Sequence, residues 1–151
     1  MSVIVTDTGF TADSFSGETV TPGTLAEHPG NGPLALDLAQ TTEVADIAAD
    51  LTRISLIRIA FPAFSDGRGF TVARRLRLAG YTGRLRAQGH VIADQYAMAR
   101  RAGFDEVEIS DEIAARQPEG QWQFRADWQA HDYQSRLRAR ASGHLTSIAA
   151  E

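Results

Sequence analysis

Apolar residues along the chain form short strand-like runs, and in the segments between these runs they recur at the spacing of a helix. From Leu34 onward, four runs have the length and alternation of buried strands, and they span residues 34–38, 53–60, 83–88 and 106–109. Before Leu34 there is no sustained apolar period, and only residues 3–5 predict a short strand. The regular part of the fold is therefore expected to begin at Leu34.

Between these strands the apolar residues recur at helical spacing. Helices are predicted over residues 42–51, 69–79 and 93–102, and a further helix is expected from Asp111. Thr41 or Thr42 is expected to cap the first helix, and Gly80 and Gly103 are expected to end the second and third. Each predicted strand is thus followed by a predicted helix.

The alternation of strands and helices predicts an α/β fold with about four parallel strands joined by right-handed crossovers. Two architectures use these units: a half (β/α) barrel and a flavodoxin-like three-layer sheet. They differ in strand order, which the pattern does not determine.

The domain organisation follows from the same pattern. Residues 1–33 are rich in Gly, Thr, Ser and Pro and are interpreted as a loop-rich arm, with turn signals at residues 21–23 and 29–33. Residues 34–134 form a single predicted α/β domain, and residues 135–151 an Arg- and Ala-rich tail. The aromatic side chains near the end of the domain are expected in the core or at a protein contact, and they are Trp122, Phe124, Trp128 and Tyr133.

Composition narrows the chemistry that the chain can perform. The net charge is -4 and the pI near 5.5, which argues against a nucleic-acid-binding protein. No apolar run approaches the roughly 20 residues of a membrane span, and the N-terminus lacks a basic signal-peptide region, so a cytoplasmic location is expected. The chain has no cysteine and no lysine, and all 15 basic residues are arginine. Thiolate and Schiff-base chemistry and cysteine-ligated metals are therefore excluded for this chain.

The junction between the second strand and the second helix, residues 61–70, carries the clearest candidate site. It contains the motif Asp66-Gly67-Arg68-Gly69 followed by Phe70. Glycine is favoured where the backbone needs a positive φ or a ligand must approach closely. An arginine at a helix start favours an anion, so Arg68 and the Gly69 N–H are predicted to bind a small oxyanion or a partner loop.

The loops that follow parallel strands meet at one edge of a sheet. Residues 40–42, 61–70, 88–90 and 110–111 are therefore expected to share a rim. This rim would gather Asp66, Arg68, His90, Asp94 and Gln95. Asp66, His90 and Asp94 are the candidate proton-transfer groups, although turn, surface and helix-start roles explain each of them as well. No metal site and no flavin or nicotinamide fingerprint is visible, so no cofactor is predicted.

The residues after the second strand are similar to a known family. Residues 59–70, with Ala73-Arg74, Gly80-Tyr81, Asp94-Gln95 and the run from Arg101 to Asp105, resemble the bacterial Domain of Unknown Function 934 family. Tyr133-Gln134 resembles that family's C-terminal end. Members are typically encoded beside a sulfite or nitrite reductase among sulfate-assimilation genes, and they are labelled oxidoreductases of sulfite reduction by that association.

The resemblance implies an accessory role in assimilatory sulfate reduction and cysteine biosynthesis, with sulfite or nitrite reductase as the partner. Residues 66–70 and Gln95 would bind a sulfur oxyanion or dock to the reductase. Two alternatives stay open at this point. One is a small autonomous enzyme in which Arg68 holds an anionic substrate and Asp66, His90 or Asp94 moves a proton. The other is a homodimer that buries residues 61–70 at its interface.

Overall fold

The computed structural model describes residues 2–30 and 32–129, which build an open seven-stranded sheet with helices against it. Along the sheet the strand order is β2-β1-β7-β6-β5-β4-β3. The strands are β1 (Ser2–Thr6), β2 (Gly9–Thr11), β3 (Glu18–Val20), β4 (Leu34–Leu38), β5 (Leu56–Phe61), β6 (Arg84–Gly89) and β7 (Glu106–Ser110). The helices are α1 (Pro22–Leu25), α2 (Arg68–Leu78), α3 (Tyr96–Ala102), α4 (Asp111–Arg116) and α5 (Glu119–Phe124).

The prediction of an α/β fold with parallel strands is confirmed. Strands β3 to β7 pair in parallel, each with the next in sequence. In a flavodoxin-like sheet the order of successive strands reverses at a switch point. Here the parallel strands β3 to β7 lie side by side in the order of the sequence, as in part of a (β/α) barrel that has not closed. Right-handed crossovers between sequential neighbours place the connecting segments on one face of the sheet.

Two of the predicted helices differ from the structure. In place of the helix predicted for residues 42–51, the chain makes two 3-10 turns, Val44–Asp46 and Ala48–Arg53. The Thr42 hydroxyl donates backwards to the Ala39 carbonyl at 2.8 Å and caps no helix. The third predicted helix begins as a 3-10 turn, Ala93–Gln95, before α3. Gly80 (φ 99°) and Gly103 (φ 116°) end α2 and α3 in left-handed conformations, as predicted.

Residues 1–33 supply more regular structure than their turn signals indicate. They contain β1, β2 and β3, and these strands lie at both edges of the sheet. Strand β1 pairs antiparallel with β7, which joins residues more than 100 positions apart, such as Ser2 and Ser110. The residues predicted as a tail, 135–151, lie outside the described part of the chain, as do Tyr133 and Gln134.

The two faces of the sheet differ in chemistry. One face carries the apolar core, with Ile57, Ile59, Leu85, Ala87 and Val107 all at 1% exposure or less, packed with residues of α2 and α3. The register places polar side chains at the intervening positions, on the opposite face. Those side chains are Asp37, Arg58, Arg84, Arg86, Gln88, Glu106 and Glu108.

Arg86 lies at the centre of this polar face and is fully buried. Its guanidinium donates to Glu108 at 2.7 Å, to Glu106 at 3.2 Å and, through both terminal nitrogens, to Asp13 at 2.9 and 3.1 Å. Burial lowers the pKa of Arg86, but the hydrogen bonds that Arg86 donates to Asp13 and the charge of Glu106 outweigh burial and raise it. Arg86 therefore stays charged and holds three carboxylates together.

Residues 12–17, here called the crossing segment, run over the polar face. The segment leaves β2 at one edge of the sheet and enters β3 at the other, and Ser14 accepts a hydrogen bond from Arg84 on the way. Six strand spacings of about 4.8 Å would separate flat edges by about 29 Å. The seven residue steps from Thr11 to Glu18 span at most about 25 Å. The sheet is therefore curved, with its polar face concave beneath the crossing segment.

Candidate functional site

The junction between β5 and α2 is held by a salt bridge within the predicted motif. The Arg68 guanidinium donates to both oxygens of Asp66, at 2.9 and 2.8 Å, and the Arg68 backbone N–H donates to Asp66 at 3.2 Å. The hydrogen bond from Arg68 holds the pKa of Asp66 well below its ordinary value. A negative charge of the protein itself thus lies at the start of α2, where an external anion was predicted.

Two glutamine side chains hold the rest of this loop in place. Gln40, just beyond β4, donates to Asp66 at 3.2 Å, and Gln95 donates to the Phe64 carbonyl at 2.8 Å. The Gln95 carbonyl in turn accepts from the Ile92 N–H at 3.0 Å. The loops after β4, β5 and β6 therefore meet at one rim, as the parallel arrangement predicts. Asp66, Arg68 and Gln95 are brought together there.

The two glycines of the motif have different roles, and neither has a positive φ. Gly69 is buried, and a Cβ added to it would lie 2.6 Å from the Phe61 ring. Gly69 is thus required for packing of α2 on the sheet. Gly67 precedes the helix at φ -89°, and an added Cβ would come no nearer than 3.7 Å to Phe70. The positive-φ explanation for these glycines is wrong.

Phe70 belongs to the core side of the junction. Its ring lies 5.0 Å from that of Phe61 and 6.4 Å from that of Phe104, and Phe61 and Phe104 are 5.8 Å apart. Tilted and edge-to-face aromatic contacts at these distances stabilise packing. Phe70 therefore positions the helix start, and the exposed aromatic ring of the loop is that of Phe64, 42% exposed.

His90 and Asp94 are each engaged elsewhere on the rim. The His90 backbone N–H donates to the Phe61 carbonyl at 2.8 Å, and its ring lies edge-on to Phe64 at 5.1 Å. Asp94 accepts from Arg125 at 2.9 Å. Asp66 is paired with Arg68. The three candidate proton-transfer groups thus contact three different sets of partners.

A pocket of about 190 Å³ lies beside Arg68, between the loop after β4 and the side of α2. Neither His90 nor Asp94 lines it. Its lining residues are Gln40, Thr41, Thr42, Glu43, Arg68, Thr71, Val72 and Arg75.

Arg74, Arg75 and Arg77 of α2 are of two kinds: one makes hydrogen bonds within the protein, and the other two are exposed to solvent. Arg77 donates to the Gly103 carbonyl at 2.8 and 3.0 Å and to the Gly83 carbonyl at 2.8 Å, and pairs with Asp105. Arg77 therefore ties α2 to the turns around it, whereas Arg74 and Arg75 are exposed.

Of the C-terminal aromatics, Trp122 is buried against Tyr96, whereas Phe124 is 76% exposed. Trp128 stacks under the Arg100 guanidinium at 4.9 Å. The aromatic segment therefore combines a core residue with an exposed one, and the fourth aromatic, Tyr133, lies outside the described residues.

Three residues at the rim were not selected from the sequence as site residues. Gln40 lies two residues after β4 and was expected at the rim with residues 41 and 42, but its contact with Asp66 was not predicted. Phe64 lies inside the predicted segment, but its exposure depends on which side of the loop faces solvent. Arg75 lines the pocket because it lies two helical turns after Arg68, a spacing that the sequence does contain.

Residues 2–30 and 32–129 contain no group of three or more His, Asp or Glu side chains placed to hold a metal ion. Among the same residues, no helix combines the length and apolar character needed to span a membrane.

Comparison with known proteins gives one match. No curated protein and no solved structure matches this chain. A family model described as "Bacterial protein of unknown function (DUF934)" matches residues 35–143, which include all of β4 but its first residue, β5 to β7 and the whole rim. The match covers well over half of the 151 residues. The chain belongs to the DUF934 family of bacterial proteins.

Proposed function

We propose that this protein is an accessory binding protein that docks onto a partner enzyme through the loop of residues 62–68. By the resemblance described above, the partner is the sulfite or nitrite reductase of assimilatory sulfate reduction. The single observation that carries the proposal is an exposed loop whose conformation is fixed. Phe64 is exposed, and Gln95 donates to its backbone carbonyl. Two residues later, Gln40 and Arg68 both donate to the Asp66 side chain.

A fixed, exposed aromatic favours docking because binding then costs little conformational entropy. Ordering a flexible loop at an interface lowers affinity, whereas a loop already held by hydrogen bonds avoids most of that cost. Aromatic and arginine side chains supply most of the binding free energy in many interfaces. Phe64 and Arg68, which is 61% exposed, provide one of each.

The alternative of an autonomous enzyme is less well supported by the rim. A general base must be able to take up a proton, and Asp66 is held ionised by two hydrogen bonds from the Arg68 guanidinium. His90 and Asp94 contact different partners, so no shared substrate position is defined by the three groups. Turnover of a sulfur compound by the isolated protein would contradict the docking proposal.

The homodimer alternative makes a separate prediction. In that arrangement the exposed loop would be covered by a second copy, and mass and scattering measurements would give a dimer that Phe64→Ala weakens. A strict monomer in solution would eliminate it.

Co-purification with the reductase tests the docking proposal directly. Phe64→Ala is expected to weaken binding of the tagged protein to sulfite reductase by about tenfold or more, as for a central aromatic contact. Leu78→Ala is the matched control, because Leu78 is 81% exposed at the other end of α2. Equal loss in both variants, or no binding by the unmodified protein, would contradict docking through this loop.

A further inference from the structure

The pocket between the loop after β4 and the side of α2 is lined by groups that bind anions. Two arginines, Arg68 and Arg75, line it together with the hydroxyl-bearing residues Thr41, Thr42 and Thr71. Guanidinium and hydroxyl groups are the usual side-chain donors to sulfate, phosphate and carboxylate oxygens. The pocket is lined by residues of two elements, the loop after β4 and α2.

Helical spacing places the two arginines on one side of α2. Arg68, Thr71 and Arg75 follow one another at intervals of three and four residues, which stacks successive side chains along one face of a helix. Val72, also on this face, is buried and forms the apolar floor beside them. The loop residues 40–43 form the opposite wall.

The salt bridge with Asp66 orients the Arg68 guanidinium and uses only two of its three nitrogens. Arg68 contacts Asp66 through Nε and Nη2, and its Nη1 has no hydrogen bond to any described residue. The salt bridge therefore fixes the plane of the guanidinium and leaves an unused nitrogen. Arg75 is exposed and makes no hydrogen bond or ion pair with the described residues. Both arginines can therefore donate to a ligand.

We propose that this pocket binds a small oxyanion, with Arg75 and Nη1 of Arg68 as cationic donors and the hydroxyls of Thr41 and Thr71 as neutral donors. The Thr42 hydroxyl is excluded as a donor because it already donates to the Ala39 carbonyl. The proposal does not depend on docking through Phe64. The proposed anion lies beside the side chains of α2 and not at the backbone N–H groups of the helix start, where Asp66 supplies the negative charge.

One lining group opposes the anion. Glu43 lies on the loop wall and adds a negative charge to the pocket. Its charge and that of Asp66 offset those of the two arginines, so the net electrostatic attraction of the site for an anion is weak. Removing the charge of Glu43 should therefore strengthen binding, a change opposite in sign to that of removing Arg75.

The test is a titration with inorganic sulfate, and in parallel inorganic phosphate, at low ionic strength. Backbone amide chemical shifts of residues 40–43 and 71–75 report on occupancy. The variants are Arg75→Ala, Glu43→Gln and Arg74→Ala. Arg74 is the matched control, since it is exposed and adjacent on the same helix but does not line the pocket.

The expected result is a saturable shift at these amides with either ion. Arg75→Ala should weaken binding about tenfold and Arg74→Ala should leave it unchanged. Glu43→Gln should tighten it about threefold. Shifts that do not saturate, or equal losses with Arg74→Ala and Arg75→Ala, would overturn the site, because they indicate only diffuse attraction to an arginine-rich helix. Because all three side chains are exposed, each variant is expected to fold, which far-ultraviolet circular dichroism checks.

Discussion

The two faces of the sheet reach burial by different means. On the helix-covered face, side chains such as Ile59 and Leu85 are buried because their transfer out of water is favourable. On the concave face, Arg86 is equally buried, yet its burial is tolerated only because three carboxylates surround it. The stability of the helix-covered face depends on the packing of apolar side chains, and it tolerates small losses of side-chain volume. That of the concave face depends on charge balance: losing Arg86 leaves Asp13 without a cation and removes one of the two that pair with each of Glu106 and Glu108.

The strongest test of this contrast removes Arg86. Arg86→Met leaves Asp13, Glu106 and Glu108 without their shared cation, and the free energy of unfolding is expected to fall by about 3–5 kcal/mol. Ile59→Val, which deletes one methylene group on the opposite face, should cost about 0.5–1.5 kcal/mol. Urea denaturation of both variants measures the difference. Similar small losses in the two variants would show that the concave face is held by packing and not by charge.

A second test concerns how tightly the helix-covered face is packed at the rim. Gly69→Ala forces a methyl group against the Phe61 ring, and overpacking of this kind is expected to cost about 1–3 kcal/mol. Gly67→Ala places its methyl group in ordinary contact and at an allowed φ, so stability should stay equal or rise by about 0.4–1 kcal/mol. Thermal melts of the two variants separate these outcomes. A stable Gly69→Ala protein would mean that α2 can shift on the sheet.

The smallest expected effect is the pH dependence carried by Asp13. The hydrogen bond from Arg86 outweighs partial burial and lowers the pKa of Asp13 from 3.8 to about 2. A carboxylate with a depressed pKa stabilises the fold fully above its unfolded value and loses that contribution as pH falls from about 4 toward 2. The full shift corresponds to about 2.4 kcal/mol. Because the side chain is 38% exposed, screening reduces the contribution to about 1 kcal/mol.

Asp13→Asn checks this sign. The variant should be less stable than the unmodified protein at pH 6, and the difference should shrink as the pH approaches 2. Glu112→Gln is the control, since Glu112 is 71% exposed and, within residues 2–30 and 32–129, pairs only with Arg116 one helical turn away. A difference between Asp13→Asn and the unmodified protein that is constant with pH would show that the pair with Arg86 contributes nothing through ionisation.

The sequence predicts the helix-covered face well because the signal there is local. Apolar periods give the positions of β4 to β7 and of α2, and the glycines at 80 and 103 mark helix ends through a backbone requirement of their own. The 3-10 turns of residues 44–53 are not predicted, since apolar residues three and four apart suit a 3-10 turn and an α-helix alike.

The concave face is harder to predict because its partners are distant in sequence. The alternation of charge within Arg84 to Gln88 and Glu106 to Glu108 does indicate a polar face. Nothing local indicates that Asp13, 73 residues from Arg86, covers it. The same limit applies to the rim, where Asp66 and Arg68 are predictable neighbours, whereas the contact of Gln40 with Asp66 depends on strand order.

The antiparallel pairing of β1 with β7 also has a consequence for biosynthesis. Residues 2–5 leave the ribosome long before their hydrogen-bonding partners, residues 107–110, which belong to the last of the described sheet strands in sequence. At a synthesis rate of about 5–20 residues per second, roughly 5–20 s therefore pass between the synthesis of β1 and that of β7. During that interval Glu106 and Glu108 are absent, so Arg86 is synthesised before two of its three carboxylates. Strand β1 can pair at once with β2, which follows it directly, but its opposite edge must stay unpaired until β7 is available.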